Sequence, residues 1–462
     1  MKLLRLTAIL LFVLCSGAAS AEKQTPPPGG EPKDFELPTV ETLELDNGLR
    51  AKLVPFGYIP KVQVRVVVRT GNIDEQPEEA WLSDLLGYML EEGAGDKDAA
   101  KLAEAFAAVG GELRVGVGVD FVWLSSAGLS ESAPDVLRLL ADVARSPVLP
   151  SSELDRRKDD LVRQLAVQRT QPGSLASEEF WSLLYGEHPY GRRLPEAEQV
   201  RGYELEQLRG FHDQHFGAKR TSVYVVGVFD LKQAKAAIEE AFGDWQPGAE
   251  PTVDLPEPAS VSERSVHVVD RPGAAQSTLR LGLPVVDPSH PDYVPLMVTN
   301  ALLGGSFASR ITSNLREDKG YTYSPVSSLR SRYRSTAWLQ SADVTTAVTG
   351  PAVQEILKEI DRLRGEAPSV EELEGIQNYL SGAFVRVNSN PFGIAFQLHY
   401  IDFHGLGTDY LTNYVQRIHA VTPQDVQRIA QTYLDPDKMV LVVVGDDGEI
   451  ASQLEGLGAR AE

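Results

Sequence analysis

Two periodicities share the chain. "VRVVVRTGNIDE" from Val64, "YVVGVFD" from Tyr224 and "MVLVVVGD" from Met439 contain short β-branched runs, the mark of strands buried within a sheet. "SVEELEGIQNYLSGAFV" repeats its apolar residues at helical spacing, with Ser369 and Glu372 in capping-box register at its start. "WLSDLLGYMLEEGAG" (81–95) reads as a buried helix stopped by a glycine-rich turn. "GELRVGVGVDFVWLSSAG" (111–128) alternates, and its glycines predict a bulged or closely approached strand. Helices laid against a mixed sheet define an α+β sandwich.

These elements occur twice. The run from Val64 is matched by "LRLGLPVVDPSHPD" from Leu279, 215 residues on, and the helix from Asp135 by one from Gly350, again 215. Leu154 of "SSELDRRKDDLVRQL" is matched by Leu373 at 219, and Gly227 by Gly445 at 218. So small a drift over four landmarks marks an internal duplication. The Pro-rich "QPGAEPTVDLPEPAS" (246–260) falls between the copies. The chain therefore divides into a leader (1–21), a Pro/Gly-rich tether (22–39), an N-terminal domain (40–245), a linker (246–262) and a C-terminal domain (263–455). Each copy is expected to be an α/β sandwich of mixed sheet with helices packed on it, the two facing each other across a cavity.

Composition excludes several classes. A net charge of −21 repels phosphate backbones and anionic lipid, so nucleic acid is not an expected partner. The leader carries Lys2 and Arg5, an apolar run from Leu6 to Cys15 and small residues at Ala19-Ser20-Ala21, the layout of a secretory signal cut before Glu22. Its apolar run is too short to span a bilayer and no later one is longer, so the mature chain is expected to have no transmembrane segment and to be periplasmic or otherwise exported. The single cysteine, Cys15, leaves with the leader, which excludes disulfides and thiolate zinc sites.

The most specific stretch is "ALLGGSFASRITSNLREDKGYTYSPVSS" (301–328). With "LLYGEHPYGRRL" (183–194) and "LSDLLGYMLEEGAG", it resembles the pitrilysin/insulinase-type metallopeptidases, the inverzincins, which include the mitochondrial processing peptidase. The resemblance covers residues 40 to 455 and agrees with the duplication. It implies a helix in the first half that, in active members, carries H-x-x-E-H: two histidines one turn apart bind zinc and the glutamate polarises the metal-bound water. A distal glutamate about 75 residues on completes the ligand set. At the matching positions this chain has Asp84 and Tyr88 for the histidines, Gly87 for the base and Gln164 for the distal glutamate. Glycine cannot act as a base, tyrosine is a poor zinc ligand at neutral pH and glutamine carries no charge. Allowing a slip of one residue does not help, because no histidine precedes His188. No catalytic zinc is expected in this chain.

The eight histidines offer no replacement. His212 and His215 are expected on a solvated helix face, His399 and His404 on different faces of theirs, and His188 in a capping or packing role. "VGGELRVGVGV" lacks the lysine and helix of a phosphate loop, and no G-x-S-x-G occurs. The resemblance further implies an arginine and a tyrosine seven residues apart that reach the substrate from the second half. Here Arg316 and Tyr323 have that spacing, whereas Tyr321 fits less well. Guanidinium and phenol donors suit a scissile carbonyl and its oxyanion. By spacing alone, Arg316 reads equally as a surface ion pair with Glu317 or Asp318, and Tyr323 as a strand aromatic. Gly304 and Gly305 allow close backbone approach or a plain helix turn.

The implied function is that of a substrate-binding, transition-state-stabilising subunit of a heterodimeric zinc metallopeptidase, inactive alone. Its partner would be a zinc-bearing homologous subunit and its substrate an extended peptide held along a sheet edge. The alternative is a non-catalytic structural or chaperone-like scaffold.

Overall fold

The β-branched runs lie at the centres of two six-stranded sheets. The computed structural model describes residues 35–251, 258 and 261–460; the leader, most of the tether and part of the linker lie outside them. The first sheet contains β1 (Glu41–Glu44), β2 (Arg50–Pro55), β3 (Lys61–Val68), β4 (Arg114–Val117), β5 (Val122–Leu129) and β6 (Thr221–Gly227), in the order β1-β2-β6-β3-β5-β4. The second contains β7 (Ser265–Asp270), β8 (Gln276–Val285), β9 (Val326–Arg332), β10 (Ser335–Thr345), β11 (Val440–Gly445) and β12 (Ala459–Arg460), in the order β12-β7-β11-β8-β10-β9. The two orders correspond strand for strand. In each sheet one inner pair is parallel, β2 with β6 and β7 with β11. Only the outer strand differs: β1 is antiparallel to its neighbour and β12 parallel.

The stretch 111–128 is not one bulged strand but the antiparallel pair β4 and β5, whose turn is closed by Gly118 N–H donating to the Phe121 carbonyl at 2.9 Å. Its glycines follow from what lies opposite. Gly116 faces Trp123, whose indole would stand 2.3 Å from a Cβ there.

The helices used below are α1 (Leu82–Met89), α2 (Ala133–Arg145), α3 (Ser151–Thr170), α4 (Pro172–Tyr185), α5 (Leu205–His215), α6 (Thr349–Gly365), α7 (Val370–Val387) and α8 (Pro391–His404). α2 matches α6 and α3 matches α7, as the offsets require. Ser369 does cap α7, accepting from Glu372 N–H at 3.1 Å. The Glu372 carboxylate, however, binds Arg310 at 2.7 and 2.8 Å rather than closing the capping box.

Central strands without polar residues need cover on both faces. One face of each sheet packs on its own half's helices; the other is covered by a helix from the opposite half. Ala176, Phe180 and Leu184 of α4 pack with Leu339, Val442 and Val444 of the second sheet. Ile394, Ala395 and Leu398 of α8 share a core with Val54, Val67 and Val226 of the first. Gly282 on β8 leaves room for Phe180, whose ring edge would come within 2.9 Å of a Cβ there. Polar ties fasten both exchanges: Tyr185 to Ser335 at 2.9 Å, and Tyr224, donating to Asp402 at 2.9 Å, with Lys52 on the same carboxylate. The described residues accordingly belong to one compact unit.

Phe180→Ala should cost about 3–5 kcal/mol by removing a fully buried ring. Urea denaturation followed by tryptophan fluorescence should show both halves unfolding in one transition at lower urea; two separated transitions in the wild type would contradict the exchange as a weld.

Candidate functional site

α1 starts on a buried carboxylate. Glu75 accepts from Trp81 N–H at 3.1 Å, Ser83 N–H at 2.8 Å and Ser83 Oγ at 2.5 Å, so it satisfies donors that the first helical turn leaves open. Arg192 pairs with its other side at 3.3 Å. Asn72 then bridges outward, its amide donating to Glu75 at 3.2 Å and to Asp84 at 2.7 Å. Burial, and then the Glu75 charge, push the Asp84 carboxyl up to about 6.

The remaining degenerate positions satisfy one another. Tyr88 on α1 donates its phenol hydrogen to Gln164 Oε1 on α3 at 2.7 Å, and the Arg157 guanidinium lies 5.5 Å from the Tyr88 ring centre. Burial and the Asp84 charge raise the Tyr88 phenol above its ordinary value, so it serves as a neutral donor. Gly87 has no space for a side chain: a Cβ there would stand 2.5 Å from Val117 Cγ2 of β4. The zinc that the resemblance implies does not fit this donor set. One carboxylate is bridged by an amide, the phenol is spent on an amide oxygen, and the base position is closed by a valine methyl. Among the described residues no group of three or more His, Cys, Asp or Glu side chains is arranged to hold a metal ion.

The histidines correct one expectation. His212 and His215 are buried rather than solvated. His212 Nε2 lies 2.9 Å from the Ala144 carbonyl, and His215 lies tilted against Phe211, 3.9 Å from Asp74. His399 and His404 are both buried among aromatic rings, and burial lowers them to about 3 and about 4. His188 caps a short turn, its Nδ1 accepting from Tyr190 N–H at 3.1 Å.

In the second half Arg316 and Tyr323 meet. Residues Ala301–Gly305 and Ser313–Asp318 are wide helical turns, and Tyr323 lies in the loop after the second, not on a strand. The Arg316 guanidinium carbon is 4.7 Å from the Tyr323 ring centre and 4.5 Å from that of Phe307. Both rings project outward, 78% and 71% exposed. Arg316 Nε also pairs with Glu317 at 3.1 Å, so the surface ion pair and the stack coexist. Phe307, Glu75, Asn72 and Arg192 escaped the sequence reading. Only Phe307 had a local signal, an aromatic after a Gly-Gly pair; the other three are joined by folding alone.

A duplicated α+β fold, its two six-stranded sheets each covered by helices from both halves, defines the class of this chain. The family model for insulinase (peptidase family M16) matches residues 57–198, and that for the peptidase M16 inactive domain matches 203–380. The chain belongs to the M16 peptidase family. It is 25% identical over 341 residues to the uncharacterized zinc protease YmxG of Bacillus subtilis, covering 73% of this chain and 82% of that one. It is 22% identical over 410 residues to an uncharacterized zinc protease of Streptomyces coelicolor, covering 86% and 87%. Its fold matches the crystal structure of a peptidase M16 inactive domain from Pseudomonas fluorescens with a TM-score of 0.82 at 24% identity, covering 88% of this chain and 98% of that one. A chain of complex III2 from Candida albicans matches with a TM-score of 0.73 at 16% identity, covering 91% and 97%.

Gly87→Glu should fail to restore a base and should destabilise the fold by about 1–3 kcal/mol through overpacking; adding Val117→Ala should recover part of that loss in a thermal melt. For Asp84, a folded value raised from 3.8 to about 6 means the folded protein holds the proton more tightly, so ionisation opposes folding. Asp84→Asn keeps the acceptor and removes the charge. Its Tm gain should be largest above pH 6, shrink as pH falls towards 3.8, and vanish below; a gain independent of pH would contradict the assignment.

Proposed function

We propose that the chain is an exported, zinc-free subunit that pairs with a zinc-bearing M16 homologue and positions an extended peptide for cleavage by that partner. The observation carrying this reading is the Arg316–Tyr323 stack. A guanidinium held between two exposed rings keeps its free N–H donors at a fixed place outside its own core, the arrangement a second subunit can use. Preorganised donors of this kind act on an oxyanion without reorganising as charge develops. The closed donor set at Asp84, Gly87, Tyr88 and Gln164 supports assigning the hydrolytic metal to the partner. The leader would direct export, with the mature chain beginning at Glu22.

The purified chain should neither hold stoichiometric zinc nor hydrolyse peptides in the presence of zinc. Mixing it with the zinc-bearing homologue should yield activity, and Arg316→Ala should lower kcat of the mixture by roughly 10²–10³, the usual effect of losing one oxyanion donor. Full activity with Arg316→Ala defeats the catalytic role and leaves the scaffold reading.

A further inference from the structure

Between the halves lies a cavity of about 520 Å³. Its lining includes Arg280 of β8, Arg330 and Arg332 of β9, Asp120 from the β4–β5 turn and Trp181 of α4. Three guanidinium groups thus meet one carboxylate in a chain whose net charge is −21.

These arginines have no anion of their own. Among the described residues none of the three forms an ion pair, and the exposed Arg330 side chain has no polar partner. Arg280 donates only to neutral oxygens, those of Leu279 at 2.9 Å and of Ser177 and Gly173 at 3.4 Å. The Arg332 guanidinium lies 4.8 Å from the Trp181 ring centre and 4.7 Å from that of Tyr190. The carboxylates whose fields reach them are engaged elsewhere: Asp120 accepts from Tyr190 OH at 2.5 Å, and Asp343 from Thr278 Oγ1 at 2.5 Å. Burial accordingly lowers both Arg280 and Arg332, the penalty of a buried cation that an incoming anion would relieve.

β9 is also the outermost strand of its sheet, bonded only to β10 among the described residues. Its free edge offers unpaired backbone donors and acceptors. Arg330 and Arg332, two residues apart, lie on one face of that strand. An added strand with acidic residues at alternate positions would set its carboxylates against them. A polyanionic nucleic acid offers no such backbone match and meets a strongly acidic surface.

We propose that the cavity and the β9 edge together bind an extended acidic peptide, its backbone pairing with β9 and its carboxylates at Arg330 and Arg332. This names the peptide class for the subunit described above and rests on that reading. The test is nonetheless separate, because it measures binding by the isolated chain and not cleavage by a mixture.

Fluorescence anisotropy of the intact chain would use a labelled peptide alternating Glu and Thr, its Gln/Thr counterpart, and a Glu/Thr peptide with alternate amides N-methylated. The acidic peptide should bind at least about tenfold more tightly than either control, as expected for charge-assisted hydrogen bonds. Arg330→Glu, at an exposed position that leaves the circular dichroism spectrum unchanged, should cost about tenfold or more in affinity. Equal binding of the Glu and Gln peptides, no binding of either, or unchanged affinity in Arg330→Glu overturns the proposal. An unaffected N-methylated peptide overturns the strand pairing. None of these outcomes bears on the Arg316 result in the mixture.

Discussion

The fold depends on the reciprocal covering of two sheets. Runs such as Val440–Gly445, buried along their whole length, are stable only if both faces are removed from water. Each half builds enough helix to cover one face of its own sheet and lends α4 or α8 to the other half. The halves therefore depend on each other. The same exchange places Trp181 and Tyr185 of α4 beside Arg332, and His399 and Asp402 of α8 beside Tyr224. The cavity and its arginines exist because the helices change sides.

Asp84, Gly87, Tyr88 and Gln164 are all packed or hydrogen-bonded by their neighbours. Val117 occupies the space beside Gly87, Gln164 accepts from Tyr88, and Asn72 joins Asp84 to the carboxylate that starts α1. Building a metal centre at these positions would therefore require changes on β4 and α3 as well as on α1. The cost retained is the half-buried Asp84, whose ionisation is opposed by desolvation and by Glu75. In the second half the balance is reversed. Arg316 is held by Phe307, Tyr323 and Glu317, with its remaining N–H groups left free.

Much of this was legible in the sequence because it is periodic or local. The β-branched runs, the capping serine and the near-constant offset between copies are properties of neighbouring residues, and they determined the strands, the helices and the duplication. The seven-residue spacing of Arg316 and Tyr323 was equally visible, and folding brings the two side chains together. Where such reasoning failed, a long-range contact overrode a local pattern. The alternating segment 111–128 folds back at the turn closed by Gly118 and Phe121, which sets Gly116 opposite Trp123. His212 and His215 sank into the core because α5 packs against Ala144 and Asp74.

Composition and period thus determined the α+β class and the repeat. The tertiary structure alone decided which helix covers which sheet, that Glu75 and Arg192 hold the start of α1, that Phe307 completes the Arg316 stack, and that three arginines from two strands line one cavity. Those relations join residues tens to hundreds of positions apart. Folding creates their energies by removing side chains from water against particular neighbours, and a one-dimensional pattern has no term for who those neighbours are.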